Sequence, residues 1–273
     1  MLRSILYLFF VCTVIFAYDD VDFDGVIDQK DRCPATPITD LIDQHGCSIV
    51  KIMDADPVAS HYDVILGIAY DSADYGTSRE FKTVTNTFQA DLFLDSWSAQ
   101  FYTSYYSLDV EGSSNSKGFN DTSVSVYYNY RPFNEENLFL RFGLGATVPT
   151  QKSSYNEVDY TASFTASYIA QNYSLFCGYG YTVVGDEDTD YFKFQNTSSF
   201  NFGLGYYLKA NIYTSLSYLN ADSVIQEIEK IRNLSLYLFY GVNDNWFFTL
   251  SYSKGLTDAT SDLSSNLRVG YYF

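Results

Sequence analysis

Between residues 20 and 31 the chain places carboxylates at a spacing that suits a hard cation. Asp20, Asp22, Asp24, Asp28 and Asp31 occupy positions 1, 3, 5, 9 and 12 of a twelve-residue loop, with Gly25 at position 6. Acidic side chains at alternate positions converge on one ion, glycine permits the sharp reversal, and the Val26 carbonyl falls where such a loop supplies a backbone ligand. Ca²⁺, which takes 6 to 8 oxygens, is the cofactor this pattern predicts. The expected ligand set is therefore Asp20, Asp22, Asp24, Val26, Asp28 and Asp31. No amphipathic helix flanks the loop, and its last position is Asp where an EF-hand has Glu, so a plain EF-hand is a poor match.

The residues that follow complete the pattern. Asp31-Arg32-Cys33-Pro34-Ala35-Thr36-Pro37 and Ile42-Asp43-Gln44-His45-Gly46-Cys47 resemble the thrombospondin type 3 repeat as found in bacterial envelope proteins. The resemblance covers residues 19–48, one repeat, and implies Ca²⁺ ligation by the five aspartates together with a Cys33–Cys47 disulfide. The alternative for this stretch is an acidic, solvated linker. An oxidising compartment allows the two cysteines to join. Cys177 stands alone on an apolar strand face and reads as an inert, lipid-facing residue. Catalysis finds no footing, because the only histidines are His45 and His61 and no Ser/His or Cys/His pair can be placed in the later strands. The loop acids Asp186, Glu187, Asp188 and Asp190 read as a solvated face, and the chain is not expected to be an enzyme.

From about Tyr62 the sequence falls into runs of period-two alternation, the spacing that sends successive side chains to opposite faces of a strand. Tyr62, Val64, Leu66, Ile68 and Tyr70 share one face, and Leu138, Leu140, Phe142 and Leu144 another. About twelve strands are predicted: 62–71, 82–94, 97–108, 120–131, 138–149, 157–170, 173–184, 192–207, 210–220, 230–241, 245–254 and 262–273. The connections between them alternate short and long. Short ones fall at Asp95-Ser96, 133–137, Gln171-Asn172, Lys209 and Asn243-Asp244; longer, polar ones fall at 71–81, 109–119, 149–157, 184–191, 221–229 and 255–261.

The chain closes on Leu267, Val269, Tyr271 and Phe273, all on one face. This resembles the C-terminal assembly signal of bacterial outer-membrane β-barrels, which implies the barrel assembly machinery and outer-membrane lipid as partners. Short periplasmic turns alternating with long external loops are the arrangement of that class. Both termini are then periplasmic. An apolar run from Ile5 to Phe16 behind Arg3 reads as a signal peptide ending at Ala17.

Composition agrees and excludes other classes. A net charge of −17 leaves no electrostatic footprint for nucleic acid, while 27 Tyr and 22 Phe against 5 Pro suit strands with one lipid-facing side. The expected architecture is all-β: residues 1–17 a signal peptide, 18–57 the calcium-binding segment and linker, and 58–273 a transmembrane antiparallel up-and-down β-barrel. Asp63, Arg131, Arg141 and Arg268 are expected to face a polar lumen that also holds inward Gln100, Tyr127, Phe176, Tyr213, Tyr237, Phe239, Phe247 and Tyr272. The function this suggests is a channel or transporter for a small-molecule solute, with a periplasmic calcium-binding repeat. The alternative is a structural or adhesive envelope protein that uses the barrel as an anchor.

Overall fold

The structure, a computed structural model, describes residues 60–132, 137–151 and 155–273; the calcium loop, Cys33, Cys47 and the leader lie outside the described residues. Thirteen strand segments follow in order: β1 (Ser60–Ala73), β2 (Phe81–Leu94), β3 (Trp97–Val110), β4 (Ser116–Phe119), β5 (Thr122–Tyr130), β6 (Leu138–Val148), β7 (Asp159–Ala170), β8 (Tyr173–Val183), β9 (Thr197–Lys209), β10 (Ile212–Ala221), β11 (Ile231–Gly241), β12 (Trp246–Gly255) and β13 (Leu263–Tyr272). Each pairs antiparallel with its chain neighbour, and β13 returns to pair with β1, Asp63 opposite Tyr272 and Ser72 opposite Leu263. The result is a closed barrel of twelve staves, because β4 and β5 are two halves of one stave along β3. Closure pairs both edges of the long staves, as an apolar surrounding requires, and only the short β4, paired with β3 alone, keeps a free edge.

The register also fixes the width. Followed once round, pairing returns to β1 about 14 residues further along, which in a twelve-stranded barrel corresponds to strands tilted by about 40° and a backbone diameter of roughly 22 Å.

Alternation decides which face each residue takes. Along β1 the outward Leu66 is 60% exposed while the inward Asp63 is 5% exposed. The same inversion of ordinary burial recurs at Leu144 (71%) and Leu204 (65%). An apolar band of that extent on an outer wall is stable only against apolar surroundings. At the short-turn end the band finishes in contacting aromatic pairs, Trp97 with Tyr128, Tyr173 with Tyr206, Trp246 with Tyr271 and Tyr62 with Phe273. Phe273 also donates its amide to the Tyr62 carbonyl, so the last residue seals the seam between β13 and β1.

Two elements depart from the sequence expectation. The stave expected over 120–131 is interrupted at Asn120-Asp121, where the Asp121 carboxylate accepts the amides of Thr150 and Gln151 and the Asn156 carboxamide from the next loop. The stave expected from 192 begins at Thr197, because Phe192 closes a tight turn on the Thr189 hydroxyl and Phe194 pairs instead with Ile225 of the following loop.

Candidate functional site

Inward residues sort by size along the barrel axis. Toward the long-loop end they are small and polar, for example Thr147, Thr161, Thr182, Ser199, Ser235, Ser253 and Ser264. Toward the short-turn end many are larger: Asp63, Asp91, Gln100, Tyr127, Arg141, Phe176, Tyr213, Phe239, Phe247 and Tyr272 all lie within the first few residues of a strand on that side. Most bulky inward groups therefore gather into a constriction at the short-turn end, while Tyr102 and Tyr106 of β3 lie further toward the long loops.

One wall of this constriction is polar. Asp63 and Asp91 stand directly opposite each other on β1 and β2. Asp91 accepts the carboxamides of Gln89 at 2.6 Å and Gln100 at 2.8 Å, while Asp63 keeps one buried oxygen without a partner. The two glutamines are oriented in turn, since Arg268 donates to the Gln89 oxygen at 3.0 Å and the Tyr127 hydroxyl lies 3.4 Å from that of Gln100. To reach Gln89 from β13, the Arg268 side chain crosses β1 at Gly67, where an added Cβ would meet its Cγ at 2.8 Å. Arg141, on β6, has its guanidinium carbon 3.8 Å over the Tyr127 ring, with one long contact to the Ser98 hydroxyl and a buried, unpartnered Nε. Ion pairs among the described residues join Lys82 to Glu80, Lys230 to Asp222 and Lys254 to Asp262, all toward the long loops. Among the described residues neither lumen arginine is paired with an acid.

The opposite wall is aromatic. Tyr207, Tyr213 and Tyr237 follow one another across β9 to β11 at 4.8 and 6.3 Å, and Phe239, Phe247 and Tyr272 continue across β11 to β13 at 5.5 and 4.6 Å. Several inward rings, Phe247 and Tyr213 among them, lie down on the wall because the neighbouring stave offers glycine. A Cβ on Gly270 would fall 2.0 Å from Phe247, one on Gly205 2.1 Å from the Tyr213 hydroxyl, and one on Gly203 2.4 Å from Phe176. Gly143 makes the same room for Tyr127 at 2.7 Å. Ring over glycine is a cross-strand pairing that hides exposed backbone, and here it also keeps the rings out of the passage.

At the other end, acidic side chains bind loop to loop. Asp121 holds the loop at 149–158, Asp186 accepts the Glu157 amide, Glu229 accepts the amides of Asp258 and Ala259, and Asp262 accepts that of Asp74. Asp222 accepts both the amide and hydroxyl of Ser198. The Lys230 ammonium at 2.8 Å, and then those two Ser198 bonds, hold its carboxyl down at about 2. Lys82 similarly lowers the carboxyl of Glu80. Much of the acidity that the sequence presents as a solvated rim thus serves as acceptors for backbone N–H.

The residues singled out from sequence are placed as follows. Asp63, Arg141 and Arg268 point inward within one constriction. Arg131 falls one residue past β5, exposed in the short turn, with its guanidinium 4.7 Å above the Phe139 ring. Leu267, Val269, Tyr271 and Phe273 share the outward face, and Cys177 is a free, exposed thiol. Asp20, Asp22, Asp24, Val26, Asp28, Asp31, Cys33 and Cys47 lie outside the described residues. Sequence reasoning missed Asp91 and Gln89. The two-residue turn at Asp95-Ser96 sets Asp91 opposite Gln100 and could have revealed the first; nothing local links Gln89 to Arg268.

Comparison with known proteins agrees with this fold. A search of curated proteins returned no match. Among solved structures, the COG4313 outer membrane channel from Pseudomonas putida F1 superposes with a TM-score of 0.64 at 13% identity, over 85% of this chain and all of that one. The NanC porin aligns with a TM-score of 0.49 at 14% identity, over 78% of this chain and 98% of its own. A family model described as "Putative MetA-pathway of phenol degradation" matches residues 69–273, three quarters of the sequence, and the chain belongs to that family.

Proposed function

We propose that the barrel is an outer-membrane channel for small amphipathic solutes, aromatic ones foremost. The observation that carries this reading is the state of the interior: among the described residues no side chain is fully buried, and buried apolar side chains are few, Ile65, Ala73 and Phe247 in the strands and Pro132 in a turn. Barrels whose interior is filled by side chains have about eight strands, and twelve leave room beyond what the lining occupies. The remaining passage has an aromatic wall facing a hydrogen-bonding wall, so a solute with a ring and a polar group meets a partner for each part. The family description, which concerns phenol degradation, favours the same solute class. Outer-membrane lipid is the partner of the apolar band, and the outward run ending at Phe273 is the segment offered to the barrel assembly machinery.

The N-terminal segment belongs to the same proposal. Asp20, Asp22, Asp24, Val26, Asp28 and Asp31 hold Ca²⁺ on the periplasmic side, stapled by Cys33–Cys47, and neither this segment nor the barrel has a catalytic role. Stepwise conductance of the refolded protein in a planar bilayer is the expected result. A silent, correctly folded barrel would instead support the anchor reading.

A further inference from the structure

We propose that Arg141 is the docking point for a carboxylate, and that the aromatic solutes this pore favours are aryl carboxylates. The inference rests on the channel reading and adds a charge requirement to it. An arginine partly withdrawn from water is commonly matched by an acid, because burial disfavours an unmatched charge. Among the described residues Arg141 has no such match, since every ion pair there involves lysine. Asp91, an acid on the same polar wall, already accepts from Gln89 and Gln100 with both oxygens. What holds Arg141 is the face of Tyr127 at 3.8 Å, which attracts the cation but occupies none of its N–H groups.

The one hydrogen bond the guanidinium makes, to the Ser98 hydroxyl at 3.4 Å, is long; its Nε is buried without a partner, which leaves the two Nη groups to meet a solute. A planar fork pinned on a ring with its donors unused matches a carboxylate, which accepts two parallel N–H bonds. Arg268 differs, since its Nη1 is committed to Gln89 at 3.0 Å. Tyr127 lies between Gly143 and the guanidinium, so the π-face for the solute's own ring is the phenylalanine and tyrosine wall across the lumen.

The test uses refolded full-length protein in a planar bilayer with three probes: benzoate, benzyl alcohol and acetate. A charge-assisted bidentate contact predicts that benzoate interrupts the current at concentrations about tenfold or more below those of benzyl alcohol and of acetate. In Arg141→Gln the advantage of benzoate over benzyl alcohol should vanish, and in Arg141→Lys, which keeps the charge but not the fork, only part of it should remain. Folding of each variant is checked by its heat-modifiable migration on gels. Equal potency of benzoate and benzyl alcohol in the unmutated channel, or a benzoate advantage unchanged in Arg141→Gln, overturns the proposal. An unmutated barrel that conducts nothing refutes the channel reading instead. Calorimetric titration of benzoate into the detergent-solubilised protein and Arg141→Gln then decides the site alone: heat lost in the variant sustains it, and no heat in either ends it.

Discussion

Replacing Gly270 by alanine isolates the ring-over-glycine pairing from the rest of the barrel. The added Cβ would lie 2.0 Å from Phe247 Cζ and 2.3 and 2.5 Å from its Cε atoms. Ordinary carbon contacts lie near 3.5 Å, so the ring must move by about 1.5 Å or swing off the wall. In doing so it leaves Phe239, stacked at 5.5 Å, and Tyr272, stacked at 4.6 Å. Each such pair contributes about 0.5–1.5 kcal/mol beyond its buried area, so Gly270→Ala should destabilise the barrel by about 1–3 kcal/mol. Urea unfolding in lipid vesicles measures this through tryptophan fluorescence, with Trp246, the residue before Phe247, as the local reporter. The decisive control is the cycle with Phe247→Ala. Once the ring is gone, Gly270→Ala should cost less than about 0.5 kcal/mol, because no atom remains for the new methyl to displace. An equal cost in both backgrounds would mean that the penalty arises in the backbone and that the stacking account is wrong.

Other expectations follow from the loops and the N-terminal segment. A tag inserted near Ser114 should be labelled on intact cells and one near Asn134 should not; the reverse pattern inverts the topology. The Asp222 carboxyl should titrate near 2 by nuclear magnetic resonance and move up toward 3.8 in Lys230→Met, and a midpoint near 4 in the unmutated protein would refute the latch. Because that value is depressed, the stability contributed by Asp222 is fully present above about 4 and fades as pH falls through 2. An oxidised peptide of residues 18–50 should bind Ca²⁺ over Mg²⁺ and bind it far less after Asp24→Ala; calorimetry without Ca²⁺-dependent heat at millimolar calcium would end the calcium reading.

The fold was legible because period-two alternation is a local signal and closure follows from an even count of staves with alternating connection lengths. Its failures came where side chains compete with the ladder for the backbone. Tyr191, Phe192 and Phe194 have the composition of a strand, yet the Thr189 hydroxyl captures the Phe192 amide and the stave cannot extend that far. Asp121 interrupts another stave by gathering donors from a loop about 30 residues on, a contact no local window contains. For the constriction, inward residues could be named one by one but not assembled. Two-residue turns set register between their strands, as between Asp91 and Gln100, whereas the seven-residue connection at 74–80 leaves the register of Asp63 against Asp91 open. The glycines gave no signal of their own, since what each one accommodates is decided by a ring on the neighbouring stave.

The carboxylate links between loops imply an order of events in assembly. Loops at 149–158, 184–196, 222–230 and 256–262 can each dock as soon as their staves pair in sequence. The link from Asp262 to the Asp74 amide joins the last loop to the first, and it can form only when β13 meets β1. The collar of loops is therefore a clasp whose final hook waits for barrel closure. Protection of the Asp74 amide from hydrogen exchange would mark the moment at which the wall becomes continuous, from outside the membrane and without a probe in the lipid.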